Sequence, residues 1–184
     1  MTARAPDRPA APEPALLRRA FGLFATGVTI VTGIKADGAP AGITVNSFTS
    51  VSLTPPLLLW CLQNESTSRD AFGAGQPFAV HVLGIDQQRD AMHFARRASG
   101  KFPAGGTPRG GVPLHIDGAL CRLEGRVEAL HPGGDHTIVV GRIARCEIRG
   151  GEPLVFHGGL FGRFVAEPRA RHVEAWETFD GDWF

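Results

Sequence analysis

Tyrosine is absent from the chain, so no contact or chemical step that needs a phenol hydroxyl belongs to it. Lysine is nearly absent: Lys35 and Lys101 are the only two, and the remainder of the nineteen basic residues are arginines. Cysteine is scarce as well. Cys61, Cys121 and Cys146 are odd in number, far apart and without C-x-x-C spacing, which argues against a disulfide framework and a zinc site and leaves core thiols. The histidines do not cluster at ligand spacing, so no metal is expected. No apolar run reaches the length of a membrane span, and the opening residues MTARAPDRPAAPEPA lack the apolar stretch of a secretory signal. No membrane association and a cytoplasmic location are expected. Neither sign of charge dominates: the formal net charge is +1 and the pI near 7.9, with no basic block, so nothing marks a nucleic-acid partner.

What is present is enough apolar material for one core, 43% of 184 residues. Residues 1–13, rich in Ala, Pro and Arg, read as a disordered leader. One domain is expected over 14–166, followed by an aromatic tail over 167–184 that carries Trp176, Phe179, Trp183 and Phe184. Pro14 opens an amphipathic helix with Leu16, Leu17, Ala20, Phe21 and Phe24 at helical spacing. Strands at 28–34 and from Ala41 flank an Asp37-Gly38 hairpin turn. Further strands are expected at 55–63 and 78–83, with a short helix in NESTSRDAFGAG and another over 86–98 capped by Asp86. Residues 99–118 are too rich in Gly and Pro for a regular element and read as a flap. Two long alternating strands then meet at HPGGD, and two short ones at Gly158-Gly159. Many short strands and few helices predict a mainly β fold, a closed or nearly closed antiparallel barrel.

The segment TVNSFTSVS, residues 44–52, holds more hydrogen-bonding capacity than a sheet edge uses. Its apolar–polar alternation reverses at Ser47, Phe48 and Thr49, which predicts a bulge or bend. Two readings stay open on these residues: a hydroxyl-rich edge facing water, or a bend whose hydroxyls, amide and free backbone groups meet a flavin, with phosphate near Ser66, Thr67 and Ser68.

The segments FATGVTIVTG, AGITVNSFTSVSLTPPLLLWCLQNESTS, FAVHVL, KF, GDHTIVVGRI and PLVFHGGLFGRF, in this order, resemble the flavin reductase-like family over about 15–164. The resemblance implies a split β-barrel of the FMN-binding type with a few short peripheral helices. It also implies NADH- or NADPH-dependent reduction of FMN or FAD by hydride transfer, a homodimer, and a separate monooxygenase component that takes the reduced flavin. Carried over position by position, it puts Thr44, Val45, Asn46, Ser47, Phe48, Thr49, Ser50 and Ser52 along the flavin. Cys61, Gln63, Ser66 and Ser68 match the part that holds ribityl and phosphate. Lys101 and Phe102 match a pair lying against the cofactor. Gly134, Asp135 and His136 match the nicotinamide motif, in which Asp135 orients the turn or His136, and His136 positions the nicotinamide. His157, before two glycines, is a candidate flavin contact, and Phe161 stands where many relatives carry an aromatic. Hydride transfer needs alignment of two rings, not an acid or base from the protein. Two alternatives remain: a flavin-binding module without turnover, or a reductase on the same barrel acting on a corrinoid or ferric complex.

Overall fold

The computed structural model describes residues 11–98, 100–102 and 111–166. Most of the expected leader, all of the aromatic tail, and Ser99 with residues 103–110 of the expected flap lie outside the described residues. After α1 (Pro14–Gly22), the chain forms β1 (Thr26–Gly27), β2 (Thr29–Ile34), β3 (Pro40–Val45), β4 (Thr49–Leu53), β5 (Pro56–Gln63) and β6 (Pro77–Val82). Helix α2 (Gln88–Ala95) follows, then the long hairpin of β7 (Cys121–Gly133) and β8 (His136–Ile148), and the short one of β9 (Leu154–His157) and β10 (Leu160–Arg163).

Seven strands make one antiparallel sheet in the order β3-β2-β6-β7-β8-β5-β4; β1, β9 and β10 make a small second sheet. The order contains its own proof of curvature. β3 and β4 are the two edges, yet only Asn46, Ser47 and Phe48 separate them in the chain. Four Cα steps reach at most about 14 Å. Six interstrand spacings in a flat sheet span about 29 Å. The sheet therefore curls until its edges approach. Register shifts in β7, between Glu124 and Gly125 and between Val127 and Ala129, supply local bending. At Gly125 a Cβ would lie 1.8 Å from the Arg142 carbonyl oxygen, so only glycine permits the strands to close there. The expected split barrel is present: no β3–β4 ladder exists, and the sheet is nearly closed but split along that seam.

Period-two alternation gives β2 two buried faces. Val31 enters a core inside the curl with Leu58, Trp60, Phe72, Phe78 and Val139, where Trp60 meets Phe72 edge-on at 5.7 Å and Phe78 at 5.1 Å. Ile30 enters a second core, under α2 and the small sheet, with Leu83, Phe94 and Leu154. Each such aromatic or aliphatic burial contributes roughly 1.5–3 kcal/mol.

Several local expectations need correction. Asp86 is no cap: a 3-10 turn, Ile85–Gln87, precedes α2, and the Gln87 side chain accepts from the Gly84 amide while donating to Asp90 and to the Asp117 carbonyl. α2 ends at Ala95, so Arg96 and Arg97 follow it. The segment after β5 makes only a 3-10 turn, Arg69–Ala71. The α1 stripe buries nothing, with Phe21 and Phe24 both over 70% exposed. Cys146 is exposed rather than in a core, while Cys61 and Cys121 are half-buried. The hairpin turn in HPGGD shrinks to Gly134-Asp135.

Candidate functional site

The reversal of alternation in residues 44–52 is a bend at 46–48, where the chain steps from one sheet edge to the other, followed by a bulge at Val51. Much of its hydroxyl capacity closes the fold. The Ser47 hydroxyl accepts the Cys61 amide at 2.9 Å and lies 3.4 Å from the Cys61 carbonyl oxygen, joining the bend to β5 across the seam. Thr44 donates to the Ala91 carbonyl of α2 at 2.7 Å, Val45 is buried, and Phe48 packs on the first core. Thr49 donates locally to the Ser50 carbonyl. Asn46, Thr49 and Ser50 are exposed and Ser52 is half-buried. Among the described residues, the amides of Asn46, Ser47 and Phe48 donate to no protein acceptor. A row of free amides beside a polar side chain is what remains for a ligand.

The turn after β5 packs on β3. Ser68 is 4% exposed and donates to the Gly42 carbonyl, while the Ser66 hydroxyl accepts the Ser68 amide at 3.2 Å. The amides of Glu65 and Thr67 have no protein acceptor among the described residues. Lys101 spends its ammonium on the Gly42 carbonyl at 3.0 Å and the Phe94 carbonyl at 2.8 Å, and Phe102 packs edge-on against Phe94 at 5.1 Å. Burial, and then the charge of Lys35, lower the Lys101 pKa. The two lysines of the chain thus converge on one cleft of about 370 Å³, lined also by Gly42, Thr67, Ser68 and Phe102. Lys35 and Thr67 further line a neighbouring cleft of about 530 Å³ with Ser66, Arg69 and Thr137.

The end of the β7–β8 hairpin lies at the same end of the sheet, because Gln63 of β5 pairs with His136 of β8. Gly134 has φ of 73°, the left-handed backbone a first central turn position requires, and Asp135 follows. His136 Nδ1 donates to the Asp135 carboxylate at 2.7 Å, which leaves Nε2 for another partner. That hydrogen bond, and then the histidine charge, hold the Asp135 carboxyl below the usual range. Arg97 donates to Gln63 Oε1 at 3.3 Å and to Glu65 at 3.4 Å, tying the chain after α2 to the rim.

Ser68, Lys101 and Phe102 thus line one cleft and Ser66 its neighbour, while the bend is tied to β5 through Ser47 and Cys61, and His136 through its pairing with Gln63. His157 and Phe161 stand apart on the small sheet. His157 is exposed, and Phe161 pairs with Phe156 at 5.4 Å and packs on the second core, the core that also receives Phe102. Two residues beside these escape a reading by motif: Asn64, bonded to the hairpin tip, and Lys35, which lines both clefts. A polar residue directly after an apolar strand marks the first, and the rarity of lysine marks the second.

A curled antiparallel sheet split along one seam, with a donor-lined groove beside the split, defines the split-barrel class. The chain belongs to the family described as the flavin reductase like domain, whose profile matches residues 21–164. It is 47% identical over 148 residues to the FMN reductase (NADH) SmoA of Agrobacterium fabrum, covering 80% of this chain and 84% of that protein. To the NADH-dependent FAD reductase of Streptomyces globisporus it is 42% identical over 161 residues, 82% of this chain and 86% of the other. The solved NADH:FAD oxidoreductase of Streptomyces globisporus, in complex with NAD and FAD fragments, superposes with a TM-score of 0.75 at 38% identity. That match covers 88% of this chain and 99% of that one. BorF, the flavin reductase component of a bacterial two-component tryptophan halogenase, gives a TM-score of 0.71 at 37% identity over 84% of this chain and all of that one.

The donor set fits a flavin. Free amides at 46–48 suit the carbonyl-rich pyrimidine edge, and Asn46, Gln63 and Ser66 suit a ribityl chain. The free amides at 65 and 67 together with Lys35 suit a phosphate.

Proposed function

We propose that this protein reduces free FMN or FAD with NADH and passes the reduced flavin to a separate monooxygenase component. The observation that carries the reading is the seam, where the free amides at 46–48 and the His136-bearing hairpin end meet on either side of Cys61 and Gln63. The flavin, when bound, supplies the ring that accepts a hydride from the nicotinamide.

The residues of the chain align, and they hold charge. The amides of Asn46, Ser47 and Phe48 offer fixed donors where negative charge grows as the flavin is reduced, and fixed dipoles cost no reorganisation at that moment. His136, with Nδ1 engaged by Asp135, presents Nε2 as the atom that meets the nicotinamide nucleotide. Lys35 and the Glu65 and Thr67 amides hold the flavin phosphate.

The protein acts as a homodimer. Support comes from an apolar surface at the end of α1, Phe21, Leu23 and Phe24, which continues into Leu160 and Phe164. The Gly158 amide donates to the Gly22 carbonyl, which holds these segments side by side. Among the described residues no helix is long and apolar enough to cross a membrane.

The test is anaerobic absorbance of the oxidised-flavin band, with excess FMN or FAD and with NADH or NADPH in turn. Catalytic bleaching of the excess flavin with NADH is the expected result. Bleaching limited to a stoichiometric amount points instead to a flavin-binding module, and no bleaching at all to a different substrate.

A further inference from the structure

Asn64 follows β5 directly, and every polar group it owns is engaged. Its amide N–H donates to the Asp135 carbonyl at 3.0 Å, and its carbonyl accepts from Arg69 at 3.2 Å. Its side-chain Nδ2 donates to the Gly134 carbonyl at 3.0 Å, and its Oδ1 accepts the Thr137 hydroxyl at 2.8 Å. Three of these four contacts fall on residues 134, 135 and 137, which bracket His136. The fourth ties the same residue to the turn that carries Ser66 and Ser68.

Without Asn64 the tip of the hairpin has little to hold it. Gly134 and Asp135 are exposed, and nothing lies within 4 Å of where a Gly134 Cβ would stand. A two-residue tip fixed only by its own ladder moves on the nanosecond-to-microsecond scale. His136 is the first residue after that tip, so its imidazole inherits the motion.

We propose that Asn64 is a positioning residue for the nicotinamide-binding step: its amide clamps the Gly134-Asp135 turn so that His136 is presented to the groove in one orientation. The proposal rests on the reductase reading above and names the residue that sets the geometry of the nucleotide side. The clamp needs a donor and an acceptor on one planar group, since Nδ2 meets a carbonyl and Oδ1 meets a hydroxyl. Aspartate keeps the acceptor but has no donor and sets a negative charge against the Gly134 carbonyl. Alanine keeps neither.

The experiment compares Asn64→Ala, Asn64→Asp, His136→Ala and the Asn64→Ala/His136→Ala pair in the full chain, with NADH and FMN. Asn64→Ala and Asn64→Asp are expected to lower kcat/KM for NADH by roughly ten- to a hundredfold, as a misplaced reactant does, with the FMN dissociation constant unchanged. The double variant is expected to lose no more than His136→Ala alone, because the effect of Asn64 passes through the histidine. Losses that simply add overturn the proposal, and so does a His136→Ala variant with unaltered kcat/KM for NADH. A readout free of turnover is the His136 imidazole proton resonance, expected to be sharp in the wild type and broadened in Asn64→Ala; identical lines overturn the proposal. Should Asn64→Ala fail to fold, Thr137→Val removes one contact of the clamp and is held to the same non-additivity and line-width criteria. A wild-type protein that bleaches no flavin defeats the reductase reading separately, and the His136 resonance then decides whether Asn64 positions that side chain.

Discussion

The Ser47 hydroxyl and the Cys61 backbone hold the barrel together where its strands do not pair: Cys61 N–H donates to Ser47 Oγ at 2.9 Å, joining the bend between β3 and β4 to the part of β5 beyond the β4 ladder. Removing one partner leaves the half-buried Cys61 amide unsatisfied, which costs about 1–3 kcal/mol. Ser47→Ala is therefore expected to lower the urea midpoint without changing the slope, and to weaken FMN binding, because the free amides at 46–48 lose their anchor. Equilibrium unfolding and a flavin fluorescence titration check both. An unchanged midpoint together with unchanged affinity would show that the strands alone hold the seam.

Gly42 carries the packing of α2 onto the groove. A Cβ there would lie 2.7 Å from the Phe94 ring and 3.1 Å from Phe102, while the Gly42 carbonyl accepts from both Lys101 and Ser68. Overpacking of this kind costs about 1–3 kcal/mol and displaces whatever gives way first. Gly42→Ala is expected to lower Tm and FMN affinity together. Gly38→Ala is the control: φ of 82° strains an alanine, but nothing lies within 4 Å, so Tm falls and FMN affinity holds.

The two lysines separate by role. Lys101 is bonded to two carbonyls, whereas Lys35 meets, among the described residues, only Asp70, at 3.9 Å, and lines both clefts. Lys35→Met is expected to weaken FMN by about tenfold, the equivalent of 1.4 kcal/mol, while riboflavin binding stays the same. Lys101→Met is expected to lower Tm and to affect FMN and riboflavin equally. Calorimetric titration with the two ligands distinguishes these cases, and equal losses for both ligands in Lys35→Met would remove Lys35 from the phosphate site.

Hairpins were legible in the sequence because their causes are local. Asp37-Gly38, the turn before His136, and Gly158-Gly159 each carry the turn chemistry within two residues, and each joins the strands expected of it. Family resemblance names the candidate site residues, but it does not show which of their polar groups the fold itself uses. Thr44 and Ser47 look equally available along the chain. Their partners, Ala91 and Cys61, lie 47 and 14 residues away. Asp86 failed as a cap for the same reason: the side chain that organises the start of α2 is Gln87, reaching to Asp117 thirty residues on. Local propensity proposes a cap, and a distant carbonyl selects its neighbour.

His81 gives the protein a predictable acid limit. The ring is fully buried on β6, its Nδ1 donates to the Ile30 carbonyl at 3.1 Å, and its Nε2 has no partner among the described residues. The His115 ring lies 6.1 Å away and is itself paired with Glu124, and the positive charge of Arg122 is close by. Burial above all lowers the His81 pKa from 6.5 to about 4; the Ile30 bond pulls it upward, and the charges of His115 and Arg122 add smaller downward pushes. The sign follows from which state binds the proton. Above pH 6.5 both folded and unfolded chains hold a neutral imidazole, and His81 adds no slope. As pH falls through 6.5 the unfolded chain takes up a proton that the folded chain refuses until about pH 4, so stability drops by about 1.4 kcal/mol per pH unit, roughly 3 kcal/mol across the window. His81→Gln keeps an amide donor for Ile30 and cannot titrate. Urea unfolding at pH 7.5, 6 and 5 is expected to show a steeper loss in the wild type than in the variant, even though the variant starts less stable at pH 7.5. Parallel losses in the two proteins would assign the acid sensitivity to the carboxylates instead.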